Sequence, residues 1–578
     1  MITAPGKGIH VAAGAFLAVT LALGGGTGRA QAQPAGESGF YGLPHASGRT
    51  FEGVGTSCVG CHFKAQERDS IPGVGGATDD GWALLNEVRT WGRVDKHYQA
   101  YAVLLMDRSK QMARIMGVVD PDTGESLIHR DQRCLACHSS LPLDQLNADE
   151  RGLIPEELTA DPRVDLGVSC EGCHGAAGDG GPGQDGWVTL HYNKRQWRFM
   201  PAEEKWLKYG YYDVRSPVSQ ARLCAACHVG NARTGRVVTH EMYAAGHPPL
   251  PGLETEIFVD QQPQHWRDFA AKKPEIQKEF LEQTGQDWKP EHLHHTRKLL
   301  VAALVNLSES LKLSADLADS STKLPVARSE WPELAQFACF ACHHELKTPA
   351  WRQERGYWLV PGRPVPHEWP LPLARLAAGL DPQAQREFAA GLADLRGPLN
   401  EQPFGTPRAL PAAFRKVAAW ADSRAEDLAT RPITRDVGDR LLAEIARMAT
   451  TETLDYDSSR QLVWAFSVVY RELNPTPYYT AVGFNPGTSI DASEIGWFPH
   501  RDSLDPVEQR LARLDDLLLL DLRKGRIQTQ TLRGEDRRLL EADLKLVLDP
   551  IQDYEPSRFK QRFSEVVRAL DERRTAAN

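Results

Sequence analysis

A chain of 578 residues with a formal net charge of −9 and 41% hydrophobic side chains has room for more than one domain. Its acidic balance argues against nucleic acid and against an anionic membrane surface as partners. It suits a basic partner, although solubility alone also accounts for it.

The N-terminus carries Lys7, then the apolar run Val11–Leu23, a Gly24-Gly25-Gly26 break and Ala30-Gln31-Ala32. This order is that of a secretory signal peptide over residues 1–32. The run is short for a bilayer span of about 20 residues, and no later segment is apolar for long enough. The expectation is a periplasmic or otherwise exported chain with no integral membrane span after signal cleavage.

Residues 33–345 contain all ten cysteines, arranged as five C-x-x-C-H units: Cys58/Cys61/His62, Cys134/Cys137/His138, Cys170/Cys173/His174, Cys224/Cys227/His228 and Cys339/Cys342/His343. This is the spacing of covalent haem c attachment, with two thiols on the haem edge and the histidine as proximal iron ligand. A zinc cage takes two Cys-x-x-Cys halves. Five would leave one over, and the invariable fifth-position histidine would have no role. A thioredoxin-like pair needs a single motif, and disulfides between residues three apart are strained. Five covalently bound haem c groups are therefore expected.

Short Gly/Asp/Pro-rich loops dominate from Phe51 to Gly230, as expected where macrocycles fill the interior. Helices are predicted at Asp95–Met116, at about Lys289–Leu317 and at Trp331–Cys339. The second carries Leu300, Leu304, Leu307 and Leu311 on one apolar face.

The function turns on the opposite face of each iron. A second histidine makes a low-spin electron carrier, and an open face makes a site where a small molecule reacts. The candidate distal ligands are His97, His191, His240, His247 and His265, with His129, His294 and His295 in reserve. His240 and His247 would share one face if their segment is helical. His344 adjoins a proximal ligand and cannot reach the opposite face of the same haem. Methionines are few, and Met106, Met112 and Met116 are more simply core, so mostly bis-His haems are favoured.

Residues 346–578 contain no cysteine and read as a haem-free helical domain. Asp381-Pro382 and Asp505-Pro506 are helix starts. Amphipathic stretches fall near 411–429, 436–450, 458–472, 505–525 and 557–573, with a linker at about Gly397–Pro411. The fold class is thus mainly α: a loop-rich multihaem domain with stacked haems, then the helical domain.

Cys134–His138, Gly167–Gly175, Thr239–Pro248 and Cys339–Leu346 resemble the multihaem cytochrome c family that includes cytochrome c-554, a branch of the group containing hydroxylamine oxidoreductase. The resemblance covers roughly residues 50–346. It implies closely stacked haems, a mainly α fold and distal histidines at positions like His97, His191, His240 and His247. Family members of the c-554 type have four haems, and this chain has five motifs. The reading that follows is an electron carrier between a redox protein donor and acceptor. The alternative is an oxidoreductase with one open haem acting on a small nitrogen or sulfur species. Pentahaem nitrite reductases typically mark the catalytic haem with C-x-x-C-K, and all five motifs here end in His. Oligomeric state is not readable from the sequence.

Overall fold

The computed structural model describes residues 43, 49–63, 82–180, 185–191, 194–250, 252–326, 331–344, 346–475, 505–518, 551 and 553–577. The signal peptide expected over 1–32 and the C-terminal end of the helix expected over 505–525 lie outside them. The fold is helical, and among the described residues strand pairing is limited to isolated bridges.

Two kinds of helix alternate with the sequence's own change of character. Before residue 260 the helices are short. They include α1 (Gln132–His138), α2 (Pro217–His228), α3 (His240–Ala245) and α4 (Thr255–Asp260). Small separate apolar clusters sit among them, such as Phe51, Tyr101, Leu104, Leu135 and Ile154. After residue 290 the helices lengthen: α5 (His294–Ala318), α6 (Leu371–Ala378), α7 (Pro382–Asn400), α8 (Leu410–Thr430), α9 (Arg435–Thr451), α10 (Tyr456–Leu473), α11 (Pro506–Leu518) and α12 (Pro556–Ala577).

Helix α5 is the axis. Its Leu299–Leu307 run is buried on every side, as a helix apolar all round must be. It packs against α8, α2, α6 and α10. One apolar core therefore holds Val218, Ala221 and Ile257 together with Phe414, Ile445, Phe466 and Phe563. The expected caps form. Asp381 accepts from the backbone N–H groups of Gln383 and Ala384, and Asp505 from those of Val507 and Glu508, which satisfies donors that a helix start leaves open.

Three local expectations are corrected. Asp95–Met116 is not one helix: two 3₁₀ turns, Lys96–Gln99 and Ala102–Leu105, precede the helix Asp107–Ile115, because Met106 is extended at ψ 161°. Trp331–Cys339 holds only the turn Leu334–Gln336, after which Phe337 is extended and bridges to Pro366. Gly397 lies inside α7, so the connection to α8 is confined to residues 401–409. Among the described residues, no helix is long and apolar enough to cross a membrane.

Candidate functional site

In a helical turn the cysteines at i and i+3 and the histidine at i+4 share one face. The first four motifs adopt that geometry. Cys134–His138 falls within α1, Cys224–His228 ends α2, and Cys170–His174 is a five-residue helix of its own. His62 N–H donates to Cys58 O at 3.0 Å. The fifth motif forms a 3₁₀ turn at Cys339–Ala341, with His343 N–H donating to Cys339 O at 2.7 Å.

The cysteines and histidines of the first four motifs line one connected void of about 3520 Å³. A single-ligand pocket holds about 300–1,000 Å³, so the void has room for several large groups. His97, His191, His247 and His265 line it too. The fifth motif and His240 do not, and Cys339 and Cys342 are exposed.

The histidine rings meet in pairs. His62 and His191 lie 6.1 Å apart between centroids at 23°, His240 and His343 6.2 Å at 24°, and His97 and His228 6.4 Å at 85°. Two imidazoles on opposite faces of one metal, each bonded at about 2.0–2.1 Å, have centroids about 6.4 Å apart. The observed spacings fit a macrocycle-borne iron between each pair. His138 and His247 are electrostatic neighbours, as are His174 and His265, but their rings do not come within contact. Among the described residues, no three or more His, Cys, Asp or Glu form a cage for a bare metal ion.

A metal-bound imidazole needs its second nitrogen held, which fixes both tautomer and orientation. Six of the ten histidines have that hold. His62 Nδ1 meets Glu87 Oε2 at 2.9 Å, and His97 Nδ1 meets Asp95 Oδ1 at 2.9 Å. His138 Nδ1 meets Ala100 O at 2.5 Å, His191 Nδ1 meets Val188 O at 2.5 Å, His247 Nδ1 meets Pro248 O at 2.8 Å and His265 Nδ1 meets Pro263 O at 3.3 Å. In each case it is Nδ1 that is held. Burial pushes His174, His228 and His247 down to about 4 and also lowers His138 and His191. These rings are therefore neutral, the form that binds a metal. His97 differs: burial lowers it, but the Asp95 carboxylate outweighs burial and raises it.

Backbone details place these rings. Gly167 has φ +69°, and a Cβ there would stand 2.5 Å from His97 O. Only glycine lets the His97 turn approach the third motif so closely. Gly246, at φ 114°, ends α3. His247 therefore leaves the helix that carries His240, and the two do not share a helical face. This corrects the i, i+7 expectation: the left-handed cap turns the chain before the second histidine.

Of the reserve histidines, His129 does not line the void, and His294 and His295 line it but are held by other groups, as is His344 outside it. His294 stacks on Trp288 at 5.2 Å, His295 pairs with Glu256 at 2.9 Å, and His344 accepts from Arg352 at 2.9 Å. Sequence reasoning missed the orienting carboxylates. Asp95 sits two residues before His97 and was readable as a local cap. Glu87 meets His62 across 25 residues and left no local signal.

The thiols also meet between motifs. Cys58 and Cys170, Cys137 and Cys227, and Cys173 and Cys224 are electrostatic neighbours.

Compared with known families, residues 85–175 match the one described as cytochrome c554 and c-prime. No curated protein and no solved structure matches the chain.

Proposed function

We propose that the chain is a c-type cytochrome, an exported electron carrier with five haem c groups; the match of residues 85–175 to the cytochrome c554 and c-prime family supports the reading. The observation that carries this is the three facing imidazole pairs, His62/His191, His240/His343 and His97/His228, at the spacing a bis-His iron requires. The proposed ligand pairs are His62/His191, His138/His247, His174/His265, His228/His97 and His343/His240. Each haem supplies a one-electron couple, and the protein supplies spacing, axial ligands and burial. Neighbouring thiols support the order first, third, fourth, second motif along the void, with the fifth at the surface. Tyr243 is in ring contact with His247 and is an electrostatic neighbour of Cys339, which supports the second site as the fifth's neighbour. The donor and acceptor are redox proteins, and electrons enter and leave at the exposed ends. The division at 345/346 is functional in this reading: attachment sites before it, helices that enclose them after it.

A second reading has one specific support. The rings of His247 and His265 do not reach contact with those of His138 and His174, so the second and third sites are those where a small nitrogen or sulfur species would find an open face.

Mass spectrometry and EPR of the matured ferric protein test both. Five haem additions are expected, with only low-spin signals and no binding of nitric oxide. Perpendicular axial imidazoles give the most anisotropic low-spin signal, so the His97/His228 centre should differ from the two near-parallel ones. A high-spin centre that binds nitric oxide would select the second reading, and protein without haem would sink both.

A further inference from the structure

The void is closed in part by helices that bind no haem. Arg460, on α10, lines it and is only 5% exposed. Its guanidinium lies 4.5 Å from the Trp464 ring centroid and 5.5 Å from that of Tyr456. Asp457 is its one ion-pair partner among the described residues, at 3.7 Å. That is too long for a hydrogen bond, and Nε and Nη1 are buried with no hydrogen-bond partner. A buried guanidinium left in that state is costly. Arginine offers a planar fork suited to a carboxylate. Aromatic contacts connect it to the fourth motif: Trp464 meets Phe258 at 6.0 Å, and Phe258 meets His228 at 5.2 Å. Gln261, one turn beyond Phe258, lines the same void and presents a buried Nε2 that also lacks an acceptor. The unsatisfied groups on this wall are thus donors facing a space that needs acceptors.

We propose that Arg460 takes a propionate carboxylate of the haem at the fourth motif, so that a cysteine-free helix sets the potential of a centre it does not bind covalently. This rests on the electron-carrier reading. The haem brings the carboxylate, and Arg460 brings a fixed positive charge and two N–H donors. Neutralising the propionate favours the reduced iron, so the guanidinium raises that centre's potential.

The test is a potentiometric titration of the full, matured protein followed by EPR, after the haem count has been fixed by mass. In Arg460→Gln, the midpoint of the most anisotropic low-spin signal, expected from the 85° ring pair, should move to lower potential while the other four stay. Arg460→Lys should recover part of the shift, because it keeps the charge without the fork. Five unmoved midpoints in an Arg460→Gln protein that carries five haems would overturn the proposal, as would lost stability without a shift. If Arg460→Gln fails to mature, Asp457→Asn removes the acidic neighbour and leaves the guanidinium. The same midpoint must then rise, whatever the fifth site does, since Asp457 also neighbours Cys339, and an unmoved fourth-motif midpoint overturns the proposal. Parent protein without haem would instead refute the electron-carrier reading beneath it.

Discussion

The walls of the void and the bundle around α5 belong to one chain but solve the interior problem in opposite ways. Around α5 the interior is side chain on side chain: Val463, Phe466 and Val469 from α10 and Phe559 and Phe563 from α12 are all at most 1% exposed. Around the first four motifs the interior is about 3520 Å³ of space bounded by short helical turns and closed on one side by the long helices. Protein interiors are close-packed, so a chain alone does not hold such a space open. The difference teaches where folding information resides: in residue periodicity for the bundle and, on the proposed function, in haem attachment for the region of the motifs.

The largest effect should come from breaking that difference directly. With all ten cysteines replaced by alanine, or with export and attachment blocked, residues 49–260 should lose their defined structure while α5–α10 keep theirs. Limited proteolysis with mass spectrometry would show it. The expected result is fast cleavage within 49–260 and a protected fragment spanning about 290–475. Equal resistance along the chain would mean that the polypeptide alone supports the void.

A next, more local effect isolates one centre. His191→Gly removes the ring facing His62 and should convert one low-spin signal into a high-spin one that binds nitric oxide, leaving the others intact. Unchanged EPR would mean that His191 is not a ligand.

What the sequence made legible follows the same division. The Asp-Pro starts and the 3.6-residue periodicity placed α5 and α7–α10 because those signals are local. The five motifs were legible as candidate attachment points because Cys-x-x-Cys-His is also local. The sequence misled where a distant partner overrides local preference. The run Asp95–Met116 has no helix breaker, yet it is folded into turns that deliver His97 to the third and fourth motifs, with Val168 N–H bonded to His97 O at 3.0 Å. Trp331–Cys339 likewise gives up helix for an extended bridge to Pro366. Which histidine rings face each other was not readable at all, since His240 and His343 are separated by over a hundred residues.

The seam between the two regions can be weakened at Arg222, on the helix of the fourth motif. Its guanidinium reaches Asp422 at 3.0 Å, Glu426 at 3.8 Å and Glu309 at 3.9 Å, and Lys312 joins Glu309 at 2.8 Å and Asp422 at 2.9 Å. Removing one partner from a buried ionic network costs about 3–5 kcal/mol, because the remaining charges lose their compensation. Arg222→Met should therefore lower the melting temperature of the matured protein while all five haems remain. A melting temperature equal to the parent's would show that the network does not couple the regions.

The smallest effect concerns pH at the same seam. Glu254, 1% exposed, caps α4 by accepting from the Glu256 and Ile257 N–H groups at 3.1 and 2.8 Å. Burial pushes its carboxyl up to about 8 from an ordinary 4.5, and Glu256 and Asp260 add to the rise. The folded state thus holds a proton that the unfolded chain releases above pH 4.5. Stability must fall as pH climbs from there, and the loss is complete once pH passes about 8. Glu254→Gln keeps a cap acceptor and cannot ionise, so it should match the parent near pH 4.5 and exceed it at pH 9. Melting temperatures of both proteins across that range decide it. Parallel curves would mean that the capping N–H donors keep the carboxylate ionised despite its burial.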